Sequence, residues 1–252
     1  MAQRWVILTV ACFALFFVGL IVFSPIVQVR EIRVQRDSLR IDAEKVQRSL
    51  SPVFGRHLLF LSTQEVAALL RASISDIGDV AIDKDYPSRL TVRLTLEPIT
   101  ARLVIVAPDD ARAGMRSGSG FSAGANDFLT VNGRYIVDPN PDVPTDLPVL
   151  FIVDWGVRPN PGDVLIAPDV LETIYGAEEI VRQQFGWDLQ RRIVYLRARE
   201  FHLKTQTITL WMDLRSPLSE QFARLTVFLR SVPAEEAKEY VDLRLSDRIV
   251  YK

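Results

Sequence analysis

The chain has 252 residues, 48% of them hydrophobic, and a formal net charge of −1. This length and composition allow one or two buried hydrophobic cores. Near neutrality argues against nucleic acid as a partner, because phosphate binding needs a clustered basic surplus. The single cysteine, Cys12, lies in an apolar N-terminal run. A disulfide or a thiolate metal site within the folded part of one chain is therefore excluded.

Residues 5–27 form an uncharged apolar run of 23 residues. As a helix this run would reach about 34 Å, enough to cross a hydrocarbon core of about 30 Å. A signal peptide is the alternative, but its apolar core spans only about 7 to 15 residues and ends at a small-residue cleavage site. We therefore expect residues 1–28 to hold a short tail and a transmembrane helix. The charge pattern leaves its orientation open, because long domains cross membranes largely regardless of charge.

Residues 29–98 show the pattern of a small α+β domain. A half-buried strand at 29–35 precedes a helix that starts at Asp42 and a second helix with Thr63 as its N-cap. Two strands follow, and residues 90–97 alternate apolar and polar side chains. The predicted order is strand, helix, helix, strand, strand, with both helices on one face of the sheet.

Residues 99–252 are predicted to form a second, mainly β domain. Two short strands flank Asn132-Gly133, a dipeptide typical of a type I′ hairpin turn. The Gly-rich stretch at 108–127 is predicted to be a flexible loop.

The C-terminal half of this domain shows two helices and further strands. A helix is predicted at 168–185, and a second is predicted to start at Ser216 with Pro217 in its first turn. Strands at 194–198 and 208–214 are expected to pair with each other. Four arginines predict a charged outer strand face, or a contact for anionic lipid or wall polymer: Arg191, Arg192, Arg197 and Arg199.

No pattern of catalytic residues stands out. The two histidines, His57 and His202, both lie among apolar neighbours, and no known nucleophile, metalloprotease or P-loop motif occurs. We expect no catalytic residue, no cofactor and no metal, and therefore a protein that is not an enzyme. An anchored cell-wall hydrolase with two carboxylates across a cleft remains an alternative.

Three segments carry a resemblance to a known family. They are the V-x-x-I-x-V strand at 29–34, the F-G-x-x-L-L-F-L connector at 54–61, and the hairpin V-A-I-D-K-D-Y-P-S-R-L-T-V-R-L-T-L-E-P at 80–98. Together they resemble the POTRA domain of the bacterial cell-division family FtsQ, called DivIB in Gram-positive bacteria. The stretch Y-V-D-L-R at 240–244 is similar to the end of the FtsQ β-domain. The resemblance implies an α+β fold: one transmembrane helix, a POTRA domain at 29–98, and a mainly antiparallel β-domain with flanking helices at 99–252.

The resemblance also implies a function. It predicts a non-enzymatic, single-pass scaffold of the divisome that links early and late division proteins and controls septal wall synthesis. Such a protein would lie in the bacterial cytoplasmic (inner) membrane at the division septum, with a cytoplasmic N-terminus and extracytoplasmic domains. Its partners would be FtsB-like and FtsL-like bitopic proteins, with other divisome membrane proteins engaged by the POTRA domain, for which residues 79–89 are the candidate edge. The runner-up is a POTRA-containing component of protein secretion or outer-membrane assembly.

The last strand is the predicted partner-binding site. A strand at a sheet edge has unpaired N–H and C=O groups that can accept a partner's strand. The alternative is that this strand merely closes the sheet. We expect Arg244 to pair with a partner carboxylate. The resemblance assigns the partner role to Tyr240, Asp242 and Arg244, and for Asp242 a structural role is an equal alternative. The residues predicted to bind the partner are Tyr240, Asp242, Arg244, Leu245, Ile249, Val250 and Tyr251.

Overall fold

A computed structural model describes residues 2–38, 40–107, 126–138, 146–154, 158–233 and 236–252. The chain divides into two compact units, Met1–Leu96 and Glu97–Lys252, which we call the small and the large domain. Almost all of the loop predicted at 108–127 lies outside the described residues.

The small domain contains the predicted strand, helix, helix, strand, strand order. After a first helix, α1 (Ala2–Phe23), come β1 (Glu31–Arg36), α2 (Ala43–Leu50), α3 (Thr63–Ser73), β2 (Ile77–Asp85) and β3 (Arg89–Leu96). The sheet order is β1-β3-β2, with β1 parallel and β2 antiparallel to β3.

Local chemistry explains these elements. The Asp42 carboxylate caps α2 by accepting from the backbone N–H of Glu44 at 2.9 Å. The cap of α3 is Ser62 rather than the predicted Thr63, which is the first helical residue. Leu90, Val92 and Leu94 of β3 are buried in one core with side chains of both helices. Apolar side chains at every second position are the reason that this strand could be predicted, although the polar Thr91 between them is buried as well.

The predicted transmembrane helix is corrected by the structure. Within the part of the chain that the structure describes, no helix combines the length and the apolarity that crossing a membrane requires. The run predicted as one span is divided, because α1 ends at Phe23 and Pro25–Val27 form a 3₁₀ turn. Val27 packs into the small-domain core. The prediction of a single-pass protein of the cytoplasmic (inner) membrane at the septum is corrected with it.

The large domain is built on one nine-stranded sheet. Its strands are β4 (Ile99–Val106), β5 (Asp127–Thr130), β6 (Tyr135–Val137), β7 (Val149–Val153), β8 (Leu189–Tyr195), β9 (Glu200–Thr205), β10 (Thr209–Asp213), β11 (Tyr240–Asp242) and β12 (Val250–Tyr251). Its helices are α4 (Pro168–Phe185) and α5 (Leu218–Ser231). The spatial order is β12-β11-β10-β9-β8-β7-β4-β5-β6.

This sheet is mixed, where the sequence predicted a mainly antiparallel domain. β7 lies between β4 and β8 and is parallel to both, and β10 is parallel to β11. The strands at 194–198 and 208–214, predicted to pair, are separated by β9, which is antiparallel to both of its neighbours. Pairing depends on contacts distant in sequence, so local alternation could not supply it.

One face of the sheet is covered by the two helices. Leu150, Val194 and Leu203 share a core with Ile174 of α4 and Leu225 of α5. A separate cluster contains alternate residues of the central strands, namely Val104, Val106, Phe151, Val153 and Ile193. Among the described residues, this second cluster contains side chains of strands and none of a helix. We refer to the two sides as the helix-covered and the helix-free face in this sense.

Candidate partner-binding edge

The two ends of the nine-stranded sheet differ in how their outer backbone groups are satisfied. At the β6 end, Tyr135 donates its N–H to Asp163 at 2.9 Å and accepts from Gly162 at 2.7 Å. That end is therefore covered by its own chain. At the other end lies β12, paired on one side with β11.

The hydrogen bonds show which groups of β12 point outward. Lys252 and Tyr240 exchange both backbone bonds, at 3.1 and 3.3 Å. In an antiparallel pair such bonded positions alternate with non-bonded ones, so Tyr251, opposite Val241, directs its N–H and C=O away from β11. The same alternation directs those of Ile249 outward. Among the described residues no hydrogen bond reaches these four groups.

The side chains of β12 are partly exposed and mostly apolar. Val250 is 38% and Tyr251 40% exposed, while Ile249 packs partly against the large-domain core. The Tyr251 ring lies edge-on to Phe228 of α5 at 5.0 Å between centroids, on the helix-covered face. Val250 lies opposite Asp242, on the helix-free face. An incoming strand would therefore meet an apolar edge with two different sides.

Arg244 contacts three neighbouring strands of its own sheet. It donates to both carboxylate oxygens of Asp242, at 2.8 and 2.6 Å, and to Glu200 of β9. Its guanidinium carbon lies 5.0 Å from the centre of the Trp211 ring in β10. These donors are used within the large domain, and the pairing of Arg244 with a partner carboxylate stays a prediction. Leu245 follows as a half-buried residue beyond β11.

Four rings on four consecutive strands form a stack that we call the aromatic ladder. They are Tyr195 of β8, His202 of β9, Trp211 of β10 and Tyr240 of β11. His202 and Trp211 are nearly parallel at 4.7 Å, and Trp211 and Tyr240 at 4.3 Å. Of these, only Tyr240 was predicted as a site residue. The sequence offered one indication of the ladder. In the strand at 208–214 apolar and polar residues alternate, and Trp211 occupies a position where the alternation predicts a polar residue.

The charges beside the ladder shift each other's protonation. Burial would raise the pKa of Glu200, but the nearby His202 and the hydrogen bond from Arg244 outweigh burial and lower that pKa below its usual value. Burial would also raise the pKa of Asp242, but the hydrogen bonds from Arg244 outweigh burial and lower that pKa below its usual value. The bond with Asp242 raises the pKa of Arg244. Burial lowers the pKa of His202, whose Nε2 lies 3.4 Å from Glu200 Oε1.

Two chemical features bear on other functions. Within the described ranges no group of three or more His, Cys, Asp or Glu side chains could hold a metal ion. The carboxylates of Glu200 and Asp242 are both bonded to one arginine. This region therefore combines an exposed backbone edge at β12 with polar side chains that are hydrogen-bonded to each other.

Comparison with protein-family models and with curated proteins gives no match for this chain.

Proposed function

We propose that this protein is a non-enzymatic scaffold of bacterial cell division that binds a partner by β-strand addition at β12. The observation that carries the proposal is the outward direction of the Ile249 and Tyr251 backbone groups at an apolar sheet end. The opposite end of the sheet is covered by residues 162–163. An uncovered apolar edge is a template for another strand.

The resemblance to the FtsQ family supports the choice of partner. By that resemblance, an FtsB-like protein paired with an FtsL-like protein would supply the added strand. The small domain would engage further division proteins through β2, the outer strand that contains most of the segment 79–89. Linking these proteins would let the scaffold control septal wall synthesis without chemistry of its own.

The binding mode assigns separate roles to backbone and side chains. Outward N–H and C=O groups of Ile249 and Tyr251 would supply hydrogen bonds, each contributing about 1 kcal/mol. Alternate side chains of the partner would lie beside Tyr251 on the helix-covered face and beside Val250 on the helix-free face. These side chains would provide selectivity.

A proline substitution tests the backbone role. Tyr251→Pro removes an outward N–H, while the bonds between Lys252 and Tyr240 remain available. We expect at least tenfold weaker binding of the full chain to an FtsB-like protein from the same organism, measured by titration calorimetry, which corresponds to about 1.4 kcal/mol.

The matched control is Tyr251→Ala, which loses the ring but keeps the N–H. It should bind more tightly than the proline variant. Circular dichroism and the amide exchange of Lys252 verify that each variant keeps its fold. Equal binding by wild type and a folded Tyr251→Pro variant would contradict strand addition at this edge.

A further inference from the structure

The edge strand has little backbone pairing to hold it. β11 has three residues and β12 two. Residues 243–249, which connect them, have no helix or strand. A pair of strands this short is only marginally stable by itself. Segments with so few backbone hydrogen bonds open locally at a low free-energy cost. Side-chain contacts can therefore add substantially to the few backbone bonds that hold β11 and β12 in register with the rest of the sheet.

On the helix-free face, Arg244 spans three strands. Its guanidinium bonds to Asp242 of β11, passes over the Trp211 ring of β10, and reaches Glu200 of β9. The Asp242 and Glu200 side chains are only 8% and 16% exposed. Two hydrogen bonds from one guanidinium to one partly buried carboxylate are stronger than an ion pair that is exposed to solvent. We call this arrangement of Arg244, Asp242, Glu200 and Trp211 the strap.

The strap acts at the point where the chain turns back into β12. Arg244 also donates its backbone N–H to Asp242 at 3.0 Å, which fixes the exit from β11. Leu243 is held from both sides: its N–H donates to Trp211, and its carbonyl accepts from Arg224 at 2.7 Å. Asp242 is itself the register partner of Val250 in β12. Holding this segment therefore holds the edge.

We infer that Glu200, Trp211 and Arg244 are positioning residues that keep β12 in the geometry for strand addition. This inference rests on the proposed function. Neither Glu200 nor Trp211 lies on the free edge, so their effect on binding would act through the edge. If the strap is weakened, the binding-competent population falls, and the apparent affinity falls by the same factor.

Amide exchange of the unbound chain tests the strap without a partner. Glu200→Gln and Trp211→Leu are compared with Glu239→Gln, which removes a carboxylate from an exposed ion pair with Lys252 of the same edge. We expect the two strap variants to reduce protection of the inward amides of Val250 and Lys252 about tenfold. The control should leave them unchanged, and Trp211→Phe, which keeps a ring in the ladder, should restore part of the loss. Amides of Leu103 and Leu150 in the interior strands verify the fold.

Binding kinetics with an FtsB-like protein from the same organism provide the second arm. We expect Glu200→Gln to lower the association rate constant by the same factor as the fraction of molecules in which β12 is paired with β11, a fraction that the exchange data give, and to leave the dissociation rate constant unchanged. Exchange at Val250 and Lys252 equal to that of the Glu239→Gln control would overturn the inference. So would an unchanged association rate constant in a variant whose exchange shows that β12 is unpaired in most molecules. Absence of binding by the wild-type chain would overturn the proposed function, and the exchange result alone would then decide whether the strap holds β12.

Discussion

Two arginines that bond to the same carboxylate have different roles in the large domain. Arg192, predicted on a charged outer face, bonds to the buried Glu178 of α4, and its side chain is 13% exposed. Arg182 bonds to the same carboxylate at 2.9 Å but is 58% exposed. Burial distinguishes them, and burial is set by the pairing of β8 and the position of α4 rather than by local sequence.

Two matched substitutions separate these roles. We expect Arg192→Met to lower the free energy of unfolding by about 3 kcal/mol, because it leaves Glu178 as a buried charge with less compensation. Arg182→Met should lower it by less than about 1 kcal/mol, as is usual for an exposed pair. Urea titrations measure both. Equal effects would show that the Arg192 pair is no more important than a surface contact.

His202 gives the large domain a pH dependence of known sign. Its pKa is lowered by burial, so the unfolded chain takes up the proton more readily. The neutral His202 contributes its full stability above about pH 6.5, the pKa of histidine in the unfolded chain. That stability is lost as the pH falls toward the lower pKa that His202 has in the folded protein. The groups that face it are Glu200 of β9, Arg244 and Asp242 beside β11, and the Tyr195 and Trp211 rings.

Replacing this histidine should remove that dependence. We expect the wild-type free energy of unfolding to fall as the pH drops below about 6.5, and His202→Phe, which keeps an aromatic ring, to show a smaller fall. Because the pKa values of Glu200 and Asp242 are lowered, the stability that these two carboxylates contribute is lost only at lower pH, below about pH 4. Urea titrations at several pH values provide the measurement. Identical slopes in the two proteins would assign the dependence to other groups.

For the hairpin of β5 and β6, the sequence predicted the position correctly but not the turn type. Thr130 and Gly133 are joined by an N–H···O=C bond of 2.9 Å, and Gly133 has φ of 71°. Asn132 has no positive φ, so the turn is a type I turn followed by a left-handed glycine, not the predicted type I′ turn. Glycine is required at position 133 for a second reason, since a Cβ there would lie 1.7 Å from the carbonyl oxygen of Ile166.

Two glycines with similar φ should respond differently to alanine. We expect Gly133→Ala to destabilise the protein by about 4 kcal/mol or more, because backbone must move. Gly186→Ala, at the C-cap of α4 with φ of 67° and open space around it, should cost about 1 kcal/mol. Thermal unfolding compares them. Similar losses would mean that the approach of Ile166 to Gly133 relaxes easily.

Elements with a strong local pattern were predictable from sequence. The helix at 168–185 and the alternating strand β3 have the periodicity of their structures. β7 was missed, although its run V-L-F-I-V is apolar, because a short buried parallel strand lacks alternation. At the candidate site, the C-terminal segment was predicted, but the strap was not, since Glu200 and Arg244 are 44 residues apart.

The division of the chain into two units places Glu97 in the large domain, whereas the sequence placed the boundary after Pro98. Glu97 is buried, accepts from Thr130 at 2.6 Å and pairs with Arg134 at 3.2 Å. Pro98 also accepts from the N–H of Val131. These two residues therefore belong to the structure that follows them.

Fragments test this boundary. We expect the fragment 97–252 to fold alone, and the fragment 99–252 to be less stable by about 3 kcal/mol because it lacks a buried carboxylate and a backbone acceptor. Glu97→Gln in the longer fragment should give part of that loss. Urea titrations measure all three. Equal stability of the two fragments would place Glu97 and Pro98 in a linker.

The most direct test of strand addition is the amide exchange of the full chain with and without an FtsB-like protein, resolved by residue in NMR spectra. We expect binding to slow exchange of the outward amides of Ile249 and Tyr251 at least tenfold, because they gain hydrogen-bond partners. The inward amides of Val250 and Lys252, already paired with β11, should change less. Binding that leaves Ile249 and Tyr251 unprotected would contradict a partner strand at β12.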